Sequence, residues 1–467
     1  MNSPSTPGAA SPVLQADALK LFQQLLPALF FCEALRQAKV KQNNRVYTAA
    51  VVMWLMILQR WQNGTSQSAV VKLLCDLPAS FWPYPCKRLQ PKPGQEKPNL
   101  SSNPGGYHQA RKELPTSLVE KGCDLATQGL IREMGVVVPE LGRQACLIDG
   151  STSRLGHSPE LCELYPPTSN QHGKSHWPIL RLLVMHDLIT GLAMRPVWGP
   201  VNGKKPVSEQ ALLERALVLL PDEAVLLGDS NFGVFSVAYA ADQSHHPVLL
   251  RLTLARAQSL YRGRGVLQDG IDQRVQWKPS RDDRRRYKER TGKELPADAA
   301  VSGRLIVRQV QPSNGKDAFL LPLFTTLETD ADVLTQVYGR RWNIETDLRT
   351  LKTMLRLDQL TCTLPEMVDK EIPIAILAYN LVRAVTYQAA QKAGLTPRDF
   401  SFTRVRCVID AFLPAVAAAG SDAEAQKLRQ DMMYYVGQAR LPKRRKKRRS
   451  YPRAVWPKPK SFPANHG

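Results

Sequence analysis

Two apolar runs that close on an aspartate constrain this chain more than any other feature. Gln144-Ala-Cys-Leu-Ile-Asp149-Gly and Glu223-Ala-Val-Leu-Leu-Gly-Asp229-Ser-Asn-Phe are too short for buried helices and rich in aliphatic side chains. Each predicts a buried strand that delivers a carboxylate at its end, a rigid way to place a metal ligand. The segments around them alternate in kind. Trp177 to His186 and Leu192 to Trp198 predict a hairpin across Asp187-Leu-Ile-Thr-Gly191. Ser208 to Leu220 predicts an amphipathic helix with Ser208 as its cap and Glu209 in its first turn. Phe232 to Asp242 reads as a further helix and His246 to Leu254 as a further strand. The order β-β-β-α-β-α-β is that of an α/β fold.

A third acid stands far downstream, in Tyr338-Gly-Arg-Arg-Trp-Asn-Ile-Glu345-Thr-Asp-Leu-Arg-Thr-Leu-Lys352. From the polar start Glu328-Thr-Asp-Ala-Asp332 to Leu357 nothing breaks a helical pattern, so one long helix is expected. At that periodicity Tyr338, Arg341, Glu345, Leu348 and Lys352 form one stripe, on which Glu345 can hold a cation while Arg341 and Lys352 meet phosphates. The competing reading is a solvated helix laced with ion pairs. Three carboxylates brought together can bind two divalent ions about 4 Å apart and drive phosphoryl transfer. Mg²⁺ suits such a site because it takes few protein ligands.

The charge of the whole chain bears on the partner. Sixty-three Lys and Arg against 41 Asp and Glu give +22 over 467 residues, so a polyanion is expected, nucleic acid before membrane. The longest apolar run, Thr48 to Leu58, is short of a bilayer span, and the N-terminus shows no secretion signal. Eight cysteines without a CxxC pair read as reduced thiols of a cytoplasmic protein and speak against a zinc site.

Composition divides the chain. Residues 1–13 read as a disordered N-terminus, and 14–77 as a helical region that is either a DNA-reading module or a cap on a larger domain. Residues 78–105, with seven prolines, read as a basic linker. The catalytic α/β domain is expected over 106–254 and 328–395, interrupted by a basic, β-rich insertion at 255–327. In that insertion Trp277 lies among cations that include Arg284, Arg285 and Arg286. Aromatic and basic side chains together suit an unstacked nucleotide, while Trp277 as a packing residue is the plain alternative. Asn314-Gly315 predicts the turn between strands at 304–310 and 318–327. Helices are expected over 396–439, and 440–467 is a basic tail that includes Lys443-Arg-Arg-Lys-Lys-Arg-Arg449.

At the three acids the sequence resembles the IS4 family of DDE transposases. The family's Tyr-x2-Arg-x3-Glu-x6-Lys signature is matched by Tyr338, Arg341, Glu345 and Lys352, and the resemblance extends to Tyr107-His-Gln-Ala-Arg111 and Ala378-Tyr-Asn-Leu-Val-Arg383. It covers most of 105–390. Asn231 stands where the family usually has Gly after the second Asp, and Asn tolerates a left-handed backbone better than most residues. The resemblance implies a ribonuclease-H-like mixed sheet with a β-rich insertion between the second Asp and the Glu. It implies cut-and-paste transposition of an insertion sequence, with Asp149, Asp229 and Glu345 holding Mg²⁺, for which Mn²⁺ substitutes. Tyr338, Arg341 and Lys352 would position strand phosphates, Trp277 would hold a flipped base, and Arg284, Arg285 and Arg286 would meet DNA. The partners implied are duplex element ends and target DNA, bound by a homodimer in a bacterial cytoplasm on the nucleoid, with no membrane. Two other readings share the same core: an inactive DNA-binding derivative, and a structure-selective nuclease.

Overall fold

The two aspartate-bearing runs lie side by side at the centre of an eight-stranded mixed sheet. The structure is a computed structural model that describes residues 17–41, 46–62, 64–90, 93, 98–134, 137–170, 173–311 and 317–442. The strands are β1 (Ala145–Arg154), β4 (Ile179–Asp187), β5 (Val197–Pro200), β6 (Val225–Gly228), β7 (Val248–Arg251), β8 (Asp272–Trp277), β9 (Val301–Val310) and β10 (Phe319–Thr325), after a small separate pair, β2 (Ser169–Asn170) and β3 (Gly173–Lys174). Their order across the sheet is β5-β4-β1-β6-β7-β10-β9-β8. β1, β6 and β7 run parallel, while β4 and β5 on one side and β10, β9 and β8 on the other are antiparallel. This is the mixed α/β sheet expected for a ribonuclease-H-like core. The strands of the insertion do not form a separate barrel, since β10 pairs with β7 and the insertion continues the central sheet.

Side chains alternate across β1 and β6, and the two faces feed two cores. Ala145, Leu147, Val225 and Leu227 face a larger core, and Cys146, Ile148 and Leu226 face a smaller one. The smaller core is closed by α8 (Glu209–Leu217) and α9 (Phe235–Gln243), and α10 (Leu254–Leu260) contributes Ala257 to it. β8 and α11 (Arg281–Thr291) then extend the insertion. The larger core joins α1 (Ala18–Leu25), α2 (Ala28–Gln37), α3 (Ala49–Trp61), α4 (Gln67–Asp76), α5 (Gly105–Glu113) and α6 (Thr116–Met134) to the central sheet. The short α7 (Pro159–Leu164) follows β1. At the centre of the larger core is α14 (Pro365–Lys392), whose residues from Ile372 to Thr386 are all buried. The apolar run at 48–58 is explained by α3, in which every residue but Gln59 is buried and the Trp61 indole donates to the Ala378 carbonyl at 2.9 Å. The proline-rich stretch carries two single 3-10 turns, and its Phe81, Trp82 and Leu89 are buried in the same core.

Three local expectations change. β1 does not end at Asp149 but runs on to Arg154, because Gly150 to Arg154 stay paired with β4. The helix expected over 328–357 is broken. α12 (Ala331–Gly339) gives way to one 3-10 turn, Arg340–Trp342, before α13 (Asn343–Met354) begins. A 3-10 turn holds 3.0 residues per turn and not 3.6, which bends the expected stripe at this point, yet Arg341 still neighbours both Tyr338 and Glu345. The helical pattern that the sequence carries from Gly106 to Glu133, expected as one helix, is likewise split at Leu114-Pro115, since proline cannot continue α5. The chain closes with α15 (Phe402–Ala418) and α16 (Asp422–Gln438). The Asn314-Gly315 turn, the Lys443–Arg449 run and residues 1–13 lie outside the described residues. Among the described residues no single helix is long and apolar enough to cross a membrane, and all eight cysteines are free.

Candidate active site

The register that pairs Leu147 with Leu227 across β1 and β6 puts Asp229, just past the end of β6, level with Asp149. Alternation places Asp149 on the same face as Leu147, toward α12 and α13. The Gly150 amide donates to Asp149 Oδ1 at 2.8 Å. Burial pushes the Asp149 carboxyl up to about 6. The neighbouring Asp229 and Glu209 carboxylates push the same way, against the Gly150 amide and the Arg341 guanidinium.

Asp229 opens a tight turn. Its carbonyl accepts from the Phe232 and Gly233 amides at 3.0 Å, and its Oδ1 accepts from the Asn231 amide at 2.9 Å. That turn is held from outside. The Gln210 side chain donates to both the carbonyl and Oδ1 of Asn231 at 2.8 Å, and Arg256 donates to the Gly233 carbonyl at 2.6 Å. No extra side chain fits here. A Cβ at Gly233 would meet the Arg251 carbonyl at 2.0 Å.

Tyr338 and Arg341 are both buried below this pair. The Tyr338 hydroxyl donates to the Gly228 carbonyl at 3.4 Å, and burial raises its pKa with Arg341 and Arg251 opposing. Arg341 Nη2 stands 3.9 Å from Glu345 Oε1, and Arg341 also lies over the ring of the exposed Trp342 at 5.5 Å. Arg341 is therefore shared between Asp149 and Glu345. Lys352 is half-buried on the last turn of α13. The structure thus brings Asp149, Asp229, Tyr338 and Arg341 together and pairs Glu345 with Arg341.

Two acids that the sequence did not single out for function stand beside the aspartates and within α13. Glu209 lies at the first position of α8, whose Ser208 hydroxyl caps the Ala211 amide. Its Oε2 accepts from the Asn231 side-chain amide at 2.5 Å, and its carboxyl rests against Gly150, where an added Cβ would lie 1.9 Å from the carboxyl carbon. Asp347, wholly buried on α13, accepts from Arg383 at 2.8 Å, from Arg398 at 2.8 Å and from the Tyr379 hydroxyl at 3.3 Å. Burial alone would raise its carboxyl, yet the Arg398 and Arg383 guanidiniums hold it below the usual range. Glu209 carried only a helix-start signal in the sequence, and Asp347 carried none.

The insertion residues fall into two groups. Trp277 is 5% exposed, edge-on to Phe324 at 4.8 Å, and lines a cavity of about 880 Å³ shared with Lys278, Arg286 and Tyr287. Arg284 donates to the carbonyls of Leu295, Pro296 and Ala297 at 2.9 to 3.2 Å and so ties α11 to the loop that follows it. Arg285 and Arg286 stay exposed, each paired with Asp282.

Adjacent aspartates offer hard oxygen donors, which suit a divalent cation that completes its shell from water and substrate. Among the described residues no three acidic, His or Cys side chains converge tightly enough to enclose a metal ion. The third carboxylate stands apart, held by Arg341.

Residues 140–381, more than half of the chain and including all three acids, match the family model for the transposase DDE domain. The chain is also similar to the transposase InsG for insertion sequence element IS4 of Escherichia coli (strain K12), at 24% identity over 324 residues that cover 68% of each chain. With the aspartates level on neighbouring parallel strands and this match spanning the sheet that carries them, the chain belongs to the transposase DDE domain family.

Proposed function

We propose that the chain moves an insertion sequence by cut and paste: Mg²⁺-dependent hydrolysis of phosphodiesters at the element's ends, followed by strand transfer into target DNA. The observation that carries this reading is the pair Asp149 and Asp229, level across the parallel strands β1 and β6 with Arg341 beside them, inside the matched domain. The printed name of the E. coli relative, a transposase for an insertion sequence, agrees with it.

Asp149, Asp229 and Glu345 would hold Mg²⁺, or Mn²⁺ in its place. Bound there, a divalent cation neutralises phosphate charge and activates the attacking oxygen. The chain's own residues do the rest. Tyr338 braces Arg341 beneath the aspartates, so that its guanidinium meets the phosphate beside the cut. Lys352 lies seven residues beyond Glu345, about 10 Å along the helix, and engages a second phosphate. Arg285 and Arg286 meet the backbone from the insertion, with Arg284 holding α11 in place, and Trp277 contacts a base turned out into the adjoining cavity. Synapsis of two ends calls for a homodimer.

The test incubates purified chain, Mg²⁺ and a duplex carrying candidate element ends, and resolves products on a denaturing gel. Nicked and joined strands are expected, and Asp149→Ala abolishes both. Cutting without joining of pre-cleaved ends would mark a structure-selective nuclease, and binding without cutting an inactive derivative. Full activity in Asp149→Ala would remove that residue from the site.

A further inference from the structure

We infer that Glu209 is a positioning residue of the aspartate pair, acting on Asp229 through Asn231 and on Asp149 through the backbone at Gly150. The inference rests on the transposase reading for its activity readout, but its geometry is independent of it. β1 alternates, so Asp149 faces α12 and α13 while Gly150 faces α8. On that opposite face the Glu209 carboxyl fills the space a side chain at 150 would occupy, 1.9 Å from an added Cβ. The same carboxyl accepts from the Asn231 side chain at 2.5 Å, and the Asn231 amide donates to Asp229 Oδ1 at 2.9 Å. One carboxylate therefore touches the backbone after the first aspartate and the side chain of the residue whose backbone amide orients the second.

Its own position is fixed. Glu209 occupies the first turn of α8, where the helix dipole favours a negative charge, and the Arg181 guanidinium favours its charged form against burial. Gln210 clamps Asn231 a second time, so the arm that reaches Asp229 has little freedom. Outer partners of this kind orient metal ligands, and their loss typically costs 10- to 100-fold in metal affinity or activity.

Three variants separate the elements. Asn231→Ala removes the side chain through which Glu209 holds the turn, keeps the backbone amide that bonds Asp229, and leaves Glu209 in place. Glu209→Gln keeps an oxygen acceptor for Asn231 without the charge, and Glu209→Ala removes both. Mn²⁺ binding to the metal-free chain is read by the loss of free-ion electron paramagnetic resonance signal, alongside Mg²⁺-dependent nicking. Glu209→Ala and Asn231→Ala are each expected to weaken Mn²⁺ binding about 10-fold or more. Their double variant should be no worse than either alone, and Glu209→Gln should stay within about threefold of the parent, with unfolding midpoints shown for each. Additive losses in the double variant, or parental Mn²⁺ affinity in folded Glu209→Ala and Asn231→Ala, would overturn the assignment. A parent chain that binds Mn²⁺ but never nicks DNA would sink the transposase reading while leaving the binding comparison intact.

Discussion

Replacing Asp347 with Ala should cost more stability than removing any of the carboxylates at the site. Asp347 and Arg383 are 0% and 5% exposed at their side chains, and Arg398 is 15% exposed. Taking away one partner of a buried ion pair leaves an uncompensated charge, at about 3–5 kcal/mol. Two guanidiniums are left here. Arg398 keeps its bonds to the Leu188 and Asp187 carbonyls and Arg383 keeps Tyr379, which holds the loss near that range instead of doubling it. About 4 kcal/mol is a large part of the 5–15 kcal/mol that ordinarily separates folded from unfolded chains. Urea unfolding followed by tryptophan fluorescence reads it as a lowered midpoint at unchanged slope. Replacing Asp347 by Leu together with Arg383 by Met should recover part of the loss, because it removes charge from both sides. The pH dependence follows from the depressed carboxyl. The ion-pair stability is complete above the unfolded value of about 3.9 and is lost as pH falls through the lower folded value, so parent and variant converge in acid. A loss below about 1 kcal/mol at neutral pH, or a gap that does not shrink in acid, would refute the claim that this pair fastens α13.

Two further outcomes are expected. The Asp149 carboxyl is raised to about 6 from an unfolded value near 3.9, so its ionisation costs stability that appears between those pH values and persists above them. Because the group is partly exposed, Asp149→Asn should stabilise the metal-free chain at pH 8 by only about 1–2 kcal/mol, with no gain at pH 3; equal midpoints at both pH values in thermal melts would contradict this. Trp277→Ala should destabilise by about 3–5 kcal/mol because the indole is buried against Phe324 and Phe235, whereas Trp277→Phe should cost far less, and a neutral Ala variant in urea titration would show the ring is not packed there.

The strand pattern around Asp149 and Asp229 was legible because the aliphatic runs are short and bounded, and their register follows once both strands are central. The end of β1 was not legible. Gly150-Ser-Thr-Ser-Arg154 is polar enough to read as a loop, and only its pairing with β4 keeps it extended. The break at Arg340–Trp342 was hidden for a similar reason, since no proline or other helix-breaking signal beyond Gly339 marks it, and the turn accompanies burial of both Tyr338 and Arg341. Asp347 reads in sequence as one more charge on a charged helix. Its two arginine partners are 36 and 51 residues away, on α14 and on the 3-10 turn Pro397–Asp399. Glu209 is ordinary as a helix start and becomes informative only when α8 is seen against Gly150 and the Asp229 turn.

α14 has a consequence for how such a chain can change. Its flanks are enclosed by α3 and α6 as well as by α15, and the buried Glu371 on it bonds Arg60 from α3 and Arg111 from α5. An exchange of sequence between relatives with a crossover at residues 62–105 would part these ionic partners and bare an aliphatic rod. New recognition properties in the first hundred residues are therefore expected to arise by substitution at the surface, with the interior inherited as one block.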